Sequence, residues 1–405
     1  DKIKLSYGAN AIYYDFNPGE ITPNSSTSGI NSRQLEKKFA FEPSLYIEAE
    51  HDLNKKLSLM YGLRYSMFYR LGQSTMNFYE NNQAVEYGEI LKIYKKGTPI
   101  GTEFYGSNKT LASFNNFEPR FSASYALNDN QSVKASYNRM TQYLQLVSNT
   151  SSPTPLDVWT PSDRYIKPQI VDQVALGYFQ NFKNDEYTLE VETFYKTVKN
   201  RIDYIDGADL IANEALEQVI LNGRLRSYGL ELMLRKNTGR FNGWISYTLS
   251  RSEQQTPGRT ATEIGINNGN WYKSAYDKLH NIAITTSYDL AKKWTLGANF
   301  ALHSGQPVTF PNGQYQYQGI TIPSYGLRNE ERLPLYHHLD LAATYTPKPD
   351  KKKGWQGEWV FSIYNIYNRS NAASINFRQS ESGVNEAVRF SIFGAVPAVS
   401  YNFKF

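Results

Sequence analysis

The sequence predicts an all-β protein, a transmembrane antiparallel β-barrel with about fourteen strands in this chain, and three observations carry that prediction. Apolar and polar residues alternate with a period of two along one stretch after another. Each stretch runs to roughly ten to fifteen residues, and the connections between stretches alternate between short and long. A period of two sends successive side chains to opposite faces of a strand. Soluble strands average ~5 to 6 residues, whereas a tilted strand needs ~9 to 11 to cross a bilayer.

The first strand, 3 to 15, sets Ile3, Leu5, Tyr7 and Ala9 against Lys4, Ser6, Gly8 and Asn10. Strands at 37 to 51 and 56 to 70 follow, the second with Leu57, Leu59, Tyr61, Leu63 and Tyr65 opposite Ser58, Gly62, Arg64 and Ser66. After 114 to 127, 132 to 146 and 169 to 182 comes 186 to 199, where Tyr187, Leu189, Val191 and Tyr195 oppose Thr188, Glu190, Glu192 and Phe194. In 225 to 236, Tyr228, Leu230, Leu232 and Leu234 oppose Gly229, Glu231, Met233 and Arg235. Strands at 241 to 253 and 279 to 290 lead to 293 to 304, with Trp294, Leu296, Ala298, Phe300 and Leu302 on one side. The last three are 336 to 346, 357 to 368 and 388 to 405, and the final VSYNFKF, which puts Val399, Tyr401, Phe403 and Phe405 on one face, is expected to be the closing strand of a barrel.

The connections sort by length. Six are short polar turns, around DLNKK, LNDNQS, KNDE, KNTGR, DLAKK and KPDKKKG. Seven are long, near 16–36, 71–113, 147–168, 200–224, 254–278, 305–335 and 369–387. Outer-membrane barrels keep short turns on the periplasmic side and long loops outside, and this parity puts the first and last strand ends on the short-turn side. One face of the strands is nearly free of charge, while the other carries Arg64, Glu190, Glu192, Glu231, Arg235 and Asp340. A soluble sandwich with its apolar face inside shows the same alternation. Strand length, loop sorting and the Tyr and Trp residues at strand ends, where interfacial girdles sit, favour the barrel.

Composition removes other classes. Among 405 residues, no cysteine leaves no disulfide scaffold or thiolate metal site, and 43 basic residues dispersed among 38 acidic ones make no nucleic-acid footprint. No stretch reaches the ~18 to 20 apolar residues of a spanning helix. The start, DKIKLSYG, has no leader, so a secretion signal is expected upstream or already removed. The histidines, His51, His280, His303, His337 and His338, bring no fixed acid and nucleophile together, and neighbours on a strand face opposite ways, so no catalytic, cofactor or metal site is predicted. LRNEER, 327 to 332, is expected to be a solvated rim, and the lysines at 351 to 353 a solvated turn. ADLIANEALEQVI, 208 to 220, has helical spacing and a packing role. Loops carry binding groups on rigid scaffolds, so Trp159, Tyr165, Trp271, Tyr272, Tyr315, Tyr317 and Tyr325 are the ligand-binding candidates, with loop packing as their alternative role.

Several segments carry a family resemblance: RSYGLELMLRKNTGRFNGWISYTLSRSE (226–253), INNGNWYKSAYDKLHNIAI (266–284), HSGQPVTFPNGQY (303–315), GLRNEERLPLYHHLDLAATY (326–345), EWVFSIYNIYNRSN (358–371) and FGAVPAVSYNFKF (393–405). Together they resemble the C-terminal barrel of TonB-dependent outer-membrane receptors of the type common in Bacteroidota. The resemblance implies that residues 1–405 are barrel, part of one with about twenty-two strands, and that a plug domain and a TonB-engaging segment are not present in this chain. It implies contact with outer-membrane lipid, TonB as a partner through the missing N-terminal part, and a surface lipoprotein or other outer-membrane subunits as further partners. The ligand class it implies is a metal chelate, a cofactor, a glycan or a peptide captured by extracellular loops. Arg64, Glu190, Glu192, Glu231, Arg235 and Asp340 face the plug or hydrated lumen on this reading, and Tyr401, Phe403 and Phe405 look like the family's sorting signal. Two rivals stay open, a passive fourteen-stranded channel and a structural barrel subunit of a larger assembly.

Overall fold

The computed structural model describes residues 2–25, 28–29, 31–147, 158–210, 213–318, 320–348, 354–380 and 385–405. The lysines at 351 to 353 lie outside them. Fourteen long strands follow one another around a single antiparallel sheet in chain order. They begin with β1 (Ile3–Phe16), β2 (Lys38–Asp52), β3 (Leu57–Leu71), β4 (Thr110–Asn128) and β5 (Gln131–Gln142). The middle of the wall is β6 (Gln169–Phe182), β7 (Tyr187–Tyr204), β8 (Ile220–Lys236) and β9 (Phe241–Gln255). It finishes with β10 (His280–Ala291), β11 (Trp294–His303), β12 (Tyr336–Tyr345), β13 (Gln356–Tyr364) and β14 (Val396–Lys404). Up-and-down order follows from the short turns. In KNDE, Lys183, Asn184 and Asp185 take positive φ, a region that Asn and Asp tolerate better than most residues.

Register carries the two-faced pattern around the wall. Val191 lies opposite Leu232, Leu232 opposite Tyr247, Tyr247 opposite Ile282, and Ile282 opposite Leu302. Ile284, Phe300 and Leu339 form the next row. A slip of one residue at any ladder would turn a whole strand's apolar set over, so this continuity fixes the pairing. The face left open is the apolar one, with Leu5, Leu45, Leu63, Phe121, Leu176 and Val399 all exposed. The opposite face is where the loops fold in. Tyr143, just past β5, stacks on Phe68 at 4.8 Å, meets the Ser66 hydroxyl at 2.8 Å and accepts a hydrogen bond from Asn116 at 2.9 Å. Arg64, Glu190, Glu192, Glu231, Arg235 and Asp340 all share this inner parity.

Among the described residues no core lies between two sheets. The main apolar cluster, with Val147, Ile166, Ile202, Leu216, Val219 and Ile266, gathers residues of the long connections and the strand ends that carry them. Those connections are folded rather than loose: Ser74–Tyr79 pairs with Pro99–Tyr105, Leu144–Val147 with Val158–Pro161, Pro311–Tyr317 with Ile320–Tyr325, and Ser374–Gln379 with Asn385–Phe390. The expected strand at 132 to 146 therefore breaks at Tyr143, and that at 388 to 405 divides into a loop ribbon and β14. The expected helix in 208 to 220 is one short turn, Leu216–Gln218, and its Leu216, Val219 and Ile220 are buried.

The terminal strand was expected to close a barrel. Among the described residues β14 pairs with β13 and β1 with β2, and the two do not pair with each other. The wall of this chain has two open edges.

Candidate functional site

At the long-loop end, a cleft of about 640 Å³ opens between the extensions of β7 and β9, the 305–335 connection and the ribbon at 374 to 390. Arg201, Asp203, Tyr276, Phe310, Tyr325 and Phe377 are among the residues that line it. β7 and β8 stay paired as far as Tyr204 and Ile220, well past the apolar band, which raises Arg201 and Asp203 into the loop layer. Phe310 and Phe377 meet edge to face at 5.2 Å, while Tyr276 and Tyr325 are 56% and 57% exposed.

One wall of the cleft is a polar lock. Arg328 donates to Asp203 at 2.5 Å, to Asp206 at 2.6 Å and to the Tyr204 carbonyl at 2.7 Å. Its own backbone is clasped by Asn267, whose side chain accepts from the Arg328 N–H at 2.8 Å and donates to its carbonyl at 2.9 Å. Burial works against the Arg328 charge, but the Asp203 and Asp206 carboxylates outweigh it and raise the pKa. The Tyr272 hydroxyl donates to the other Asp203 oxygen and accepts from Gln254 at 3.0 Å; burial beside that carboxylate pushes its pKa up. On the other side, the Nε of Arg201 is buried with no hydrogen-bond partner among the described residues. A buried donor without a partner costs ~1–3 kcal/mol.

The aromatic candidates separate. Tyr325 lines the cleft. Tyr315 and Tyr317 are exposed on the same ribbon but do not line it, and Trp159 is half exposed on another. Tyr165 packs on Tyr79 and donates to the Asn77 carbonyl at 2.9 Å. Trp271 lies beneath Arg226 at 4.2 Å. Tyr272 is only 6% exposed and spent on the Asp203 network, which removes it from the available contacts. LRNEER is not a solvated rim: Arg328 is held as described, and Arg332 pairs with the fully buried Asp277 carboxylate. Sequence reading missed Arg201, Tyr276, Phe310 and Phe377, since no periodicity marks a loop residue as facing a cleft. His337 and His338 take opposite faces, bonding Tyr367 at 2.7 Å and Asp340 at 2.9 Å, and His303 stacks on Tyr336. Among the described residues no cluster of His, Asp or Glu is arranged to hold a metal ion.

A second lock ties two long loops. Arg259 donates to Glu263 through Nε at 2.9 Å and Nη2 at 2.7 Å, and through Nη1 to the Val85 carbonyl at 2.7 Å. Burial alone would raise the Glu263 pKa, but the Arg259 hydrogen bonds and charge hold it below the ordinary 4.5. A depressed carboxylate contributes stability that is fully present above its unfolded value and is lost as pH falls through its folded value. The protection of amides in 83–98 and 256–265, taken relative to their intrinsic exchange rates at each pH, is therefore expected to be constant above pH 5 and to fall as pH drops below 4.5; Glu263→Gln should remove that pH dependence of protection.

Comparison with known proteins gives the family. A family model described as TonB dependent receptor-like, β-barrel, matches residues 3–368. No curated protein matches the sequence significantly. Among solved structures, the fold is similar to the ferric-catecholate import receptor Fiu of E. coli K12 (15% identity, 99% of this chain and 51% of that one, TM-score 0.58). It is also similar to the FrpB iron transporter of Neisseria meningitidis (13%, 100% and 53%, 0.54) and to the ferripyoverdine receptor of Pseudomonas aeruginosa bound to ferripyoverdine (12%, 99% and 45%, 0.57). The chain spans about half the length of these structures.

Proposed function

This chain belongs to the TonB-dependent receptor-like β-barrel family, whose barrels lie in the outer membrane, and from that premise we propose that it is the barrel of a receptor for TonB-dependent nutrient uptake. The observation that carries the proposal is the loop-end cleft, which Arg201 lines together with Tyr276, Tyr325 and the Phe310–Phe377 pair. That combination suits an anionic ligand with flat or apolar parts, because a guanidinium gives charge-assisted hydrogen bonds and aromatic rings give stacking area. The similar structures named above import or transport iron or bind an iron chelate, and a further one is a copper transporter. An anionic metal chelate is the ligand class we favour, over a cofactor, a glycan or a peptide.

The remaining partners follow from the same reading. TonB would be engaged by a segment outside this chain, and a plug would contact Arg64, Glu190, Glu192, Glu231, Arg235 and Asp340 on the inner face. Tyr401, Phe403 and Phe405 would serve as the sorting signal, and a surface lipoprotein could sit over the loops. The passive-channel reading needs fourteen strands that close, and the open β1 and β14 edges argue against it. An unpaired strand edge facing lipid costs several kcal/mol per stranded polar group, which supports a reading with further strands completing the wall.

The test uses the full-length receptor in metal-limited cells and a panel of ferric catecholate, hydroxamate and citrate chelates. Uptake of one chelate should depend on TonB, and Arg201→Ala should weaken its binding about tenfold to a hundredfold, the worth of one charge-assisted hydrogen bond. TonB-independent uptake, or unchanged binding in the variant, would overturn the reading.

A further inference from the structure

The inner face of β1 to β4 holds a pocket of about 270 Å³, just under the ~300–1,000 Å³ usual for small-molecule sites. Tyr46, Glu48, Gly62, Arg64 and Arg120 are among its lining residues, and none of these lines the loop-end cleft. Register explains the hollow. Glu48 of β2 pairs with Gly62 of β3, and Gly62 pairs with Arg120 of β4, so an acid and a base stand on either side of a residue without a side chain. Two strand spacings put their Cα atoms ~10 Å apart. A Cβ on Gly62 would come to 2.9 Å from the Ile47 carbonyl oxygen and 3.1 Å from the Glu48 Cβ, so glycine is what keeps the gap open. In the adjoining row Tyr46 lies across Gly8, where a Cβ would meet its ring at 2.8 Å, and the phenol stays 45% exposed.

Neighbouring charges on this face are answered. Lys4 pairs with Glu50 at 3.3 Å, Arg64 pairs with Glu42 at 3.4 Å, and Glu118 accepts from the Ser66 hydroxyl at 2.7 Å. Glu48 and Arg120 differ: among the described residues neither makes an ion pair or a side-chain hydrogen bond, with the other or with any neighbour. Both are half-buried. A carboxylate that only accepts and a guanidinium that only donates therefore face one small hollow together. A lone anion there would meet Arg120 but be repelled by Glu48, and a lone cation would meet the reverse.

We propose that this pocket binds a free α-amino acid with a small side chain, its carboxylate on Arg120, its ammonium on Glu48 and its side chain against Tyr46. One zwitterion answers both charges at once, and the volume limits the side chain. The pocket lies on the inner wall, apart from the cleft, and the proposal does not depend on the chelate reading.

The test is equilibrium dialysis of radiolabelled L-alanine, L-serine and L-leucine against the full-length receptor in detergent, with propionate and ethylamine as analogues that keep one charge each. One equivalent of an amino acid should bind, about tenfold or more tighter than either analogue. Arg120→Gln and Glu48→Gln should each weaken binding about tenfold or more, the worth of one hydrogen bond to a charged group. Glu50→Gln, which removes a carboxylate already paired with Lys4, should leave it unchanged. If a pocket variant fails to fold, the comparison of amino acid with analogues in the unaltered receptor still decides. No saturable binding would mean that other groups of the receptor already answer the two charges, and would overturn the site. Equal binding of an analogue, or full affinity in both folded variants, would overturn it as well. Chelate uptake is a separate measurement, so either reading can fail alone.

Discussion

Leu232→Arg should lower the stability of the bilayer-inserted barrel by about 2–4 kcal/mol, the cost of a cation at the midplane of a lipid-facing strand. Position decides the magnitude. Leu232 pairs with Val191, which is four residues from Tyr187 and four from Tyr195 on the same outward face. Eight residues of strand are ~27 Å, so these two tyrosines mark the interfaces and Leu232 lies midway between them. Glu231→Arg supplies the control, because the neighbouring side chain faces inward, where a cation meets water and polar groups; its cost should stay below about 1 kcal/mol. Urea unfolding of the full-length receptor in lipid vesicles, followed by tryptophan fluorescence, measures both. Phe300→Arg, in the row of Ile284 and Leu339, should repeat the Leu232 result. Equal costs for the inward and outward substitutions would mean that the faces are assigned wrongly.

The second large effect belongs to the loop layer. Asp277 is 1% exposed, accepts from the Ser252 backbone N–H at 2.6 Å, and is paired with Arg332, which also donates to the Gly305 carbonyl at 2.9 Å. Removing one partner of a buried ion pair costs about 3–5 kcal/mol, chiefly because the other charge is left without compensation. Asp277→Ala should therefore open the 274–279 and 304–308 junctions, raising hydrogen exchange there by two or more orders of magnitude while the wall strands keep their protection. Asp277→Ala combined with Arg332→Leu should recover part of the loss, since the closer pair is then gone and only the partly exposed Arg251 is left without its partner. If the single variant exchanges like the unaltered protein, the pair is a surface contact and not a lock.

The wall was legible in the sequence because lipid on one side and water on the other impose a strict period of two. The strand expected at 169 to 182 coincides with β6, and those at 241 and 336 begin where β9 and β12 do. Legibility failed where the solvent pattern changes. β7 and β8 run on to Tyr204 and back to Ile220, where Ile202 and Asp203 are both buried in the loop layer, so alternation no longer reports the strand. The cleft was harder still. Arg328 and Asp203 are 125 residues apart in sequence, and nothing in LRNEER distinguishes an anchored arginine from a solvated one. Tyr272 and Tyr325 looked alike as loop aromatics; the fold buries the first against Asp203 and leaves the second open.

The apolar cluster of Val147, Ile166, Ile202, Val219 and Ile266 makes this molecule two materials joined end to end. Its wall holds apolar side chains outward because lipid is their neighbour, and takes its cohesion mainly from backbone pairing. The cap above it gathers apolar side chains inward because water is their neighbour, and coheres as a small soluble protein does. Detergent, cold or a thinner bilayer therefore acts on the two parts through different forces. The side chains that line the cleft ride on the part whose order depends on water, while the wall beneath answers to the membrane.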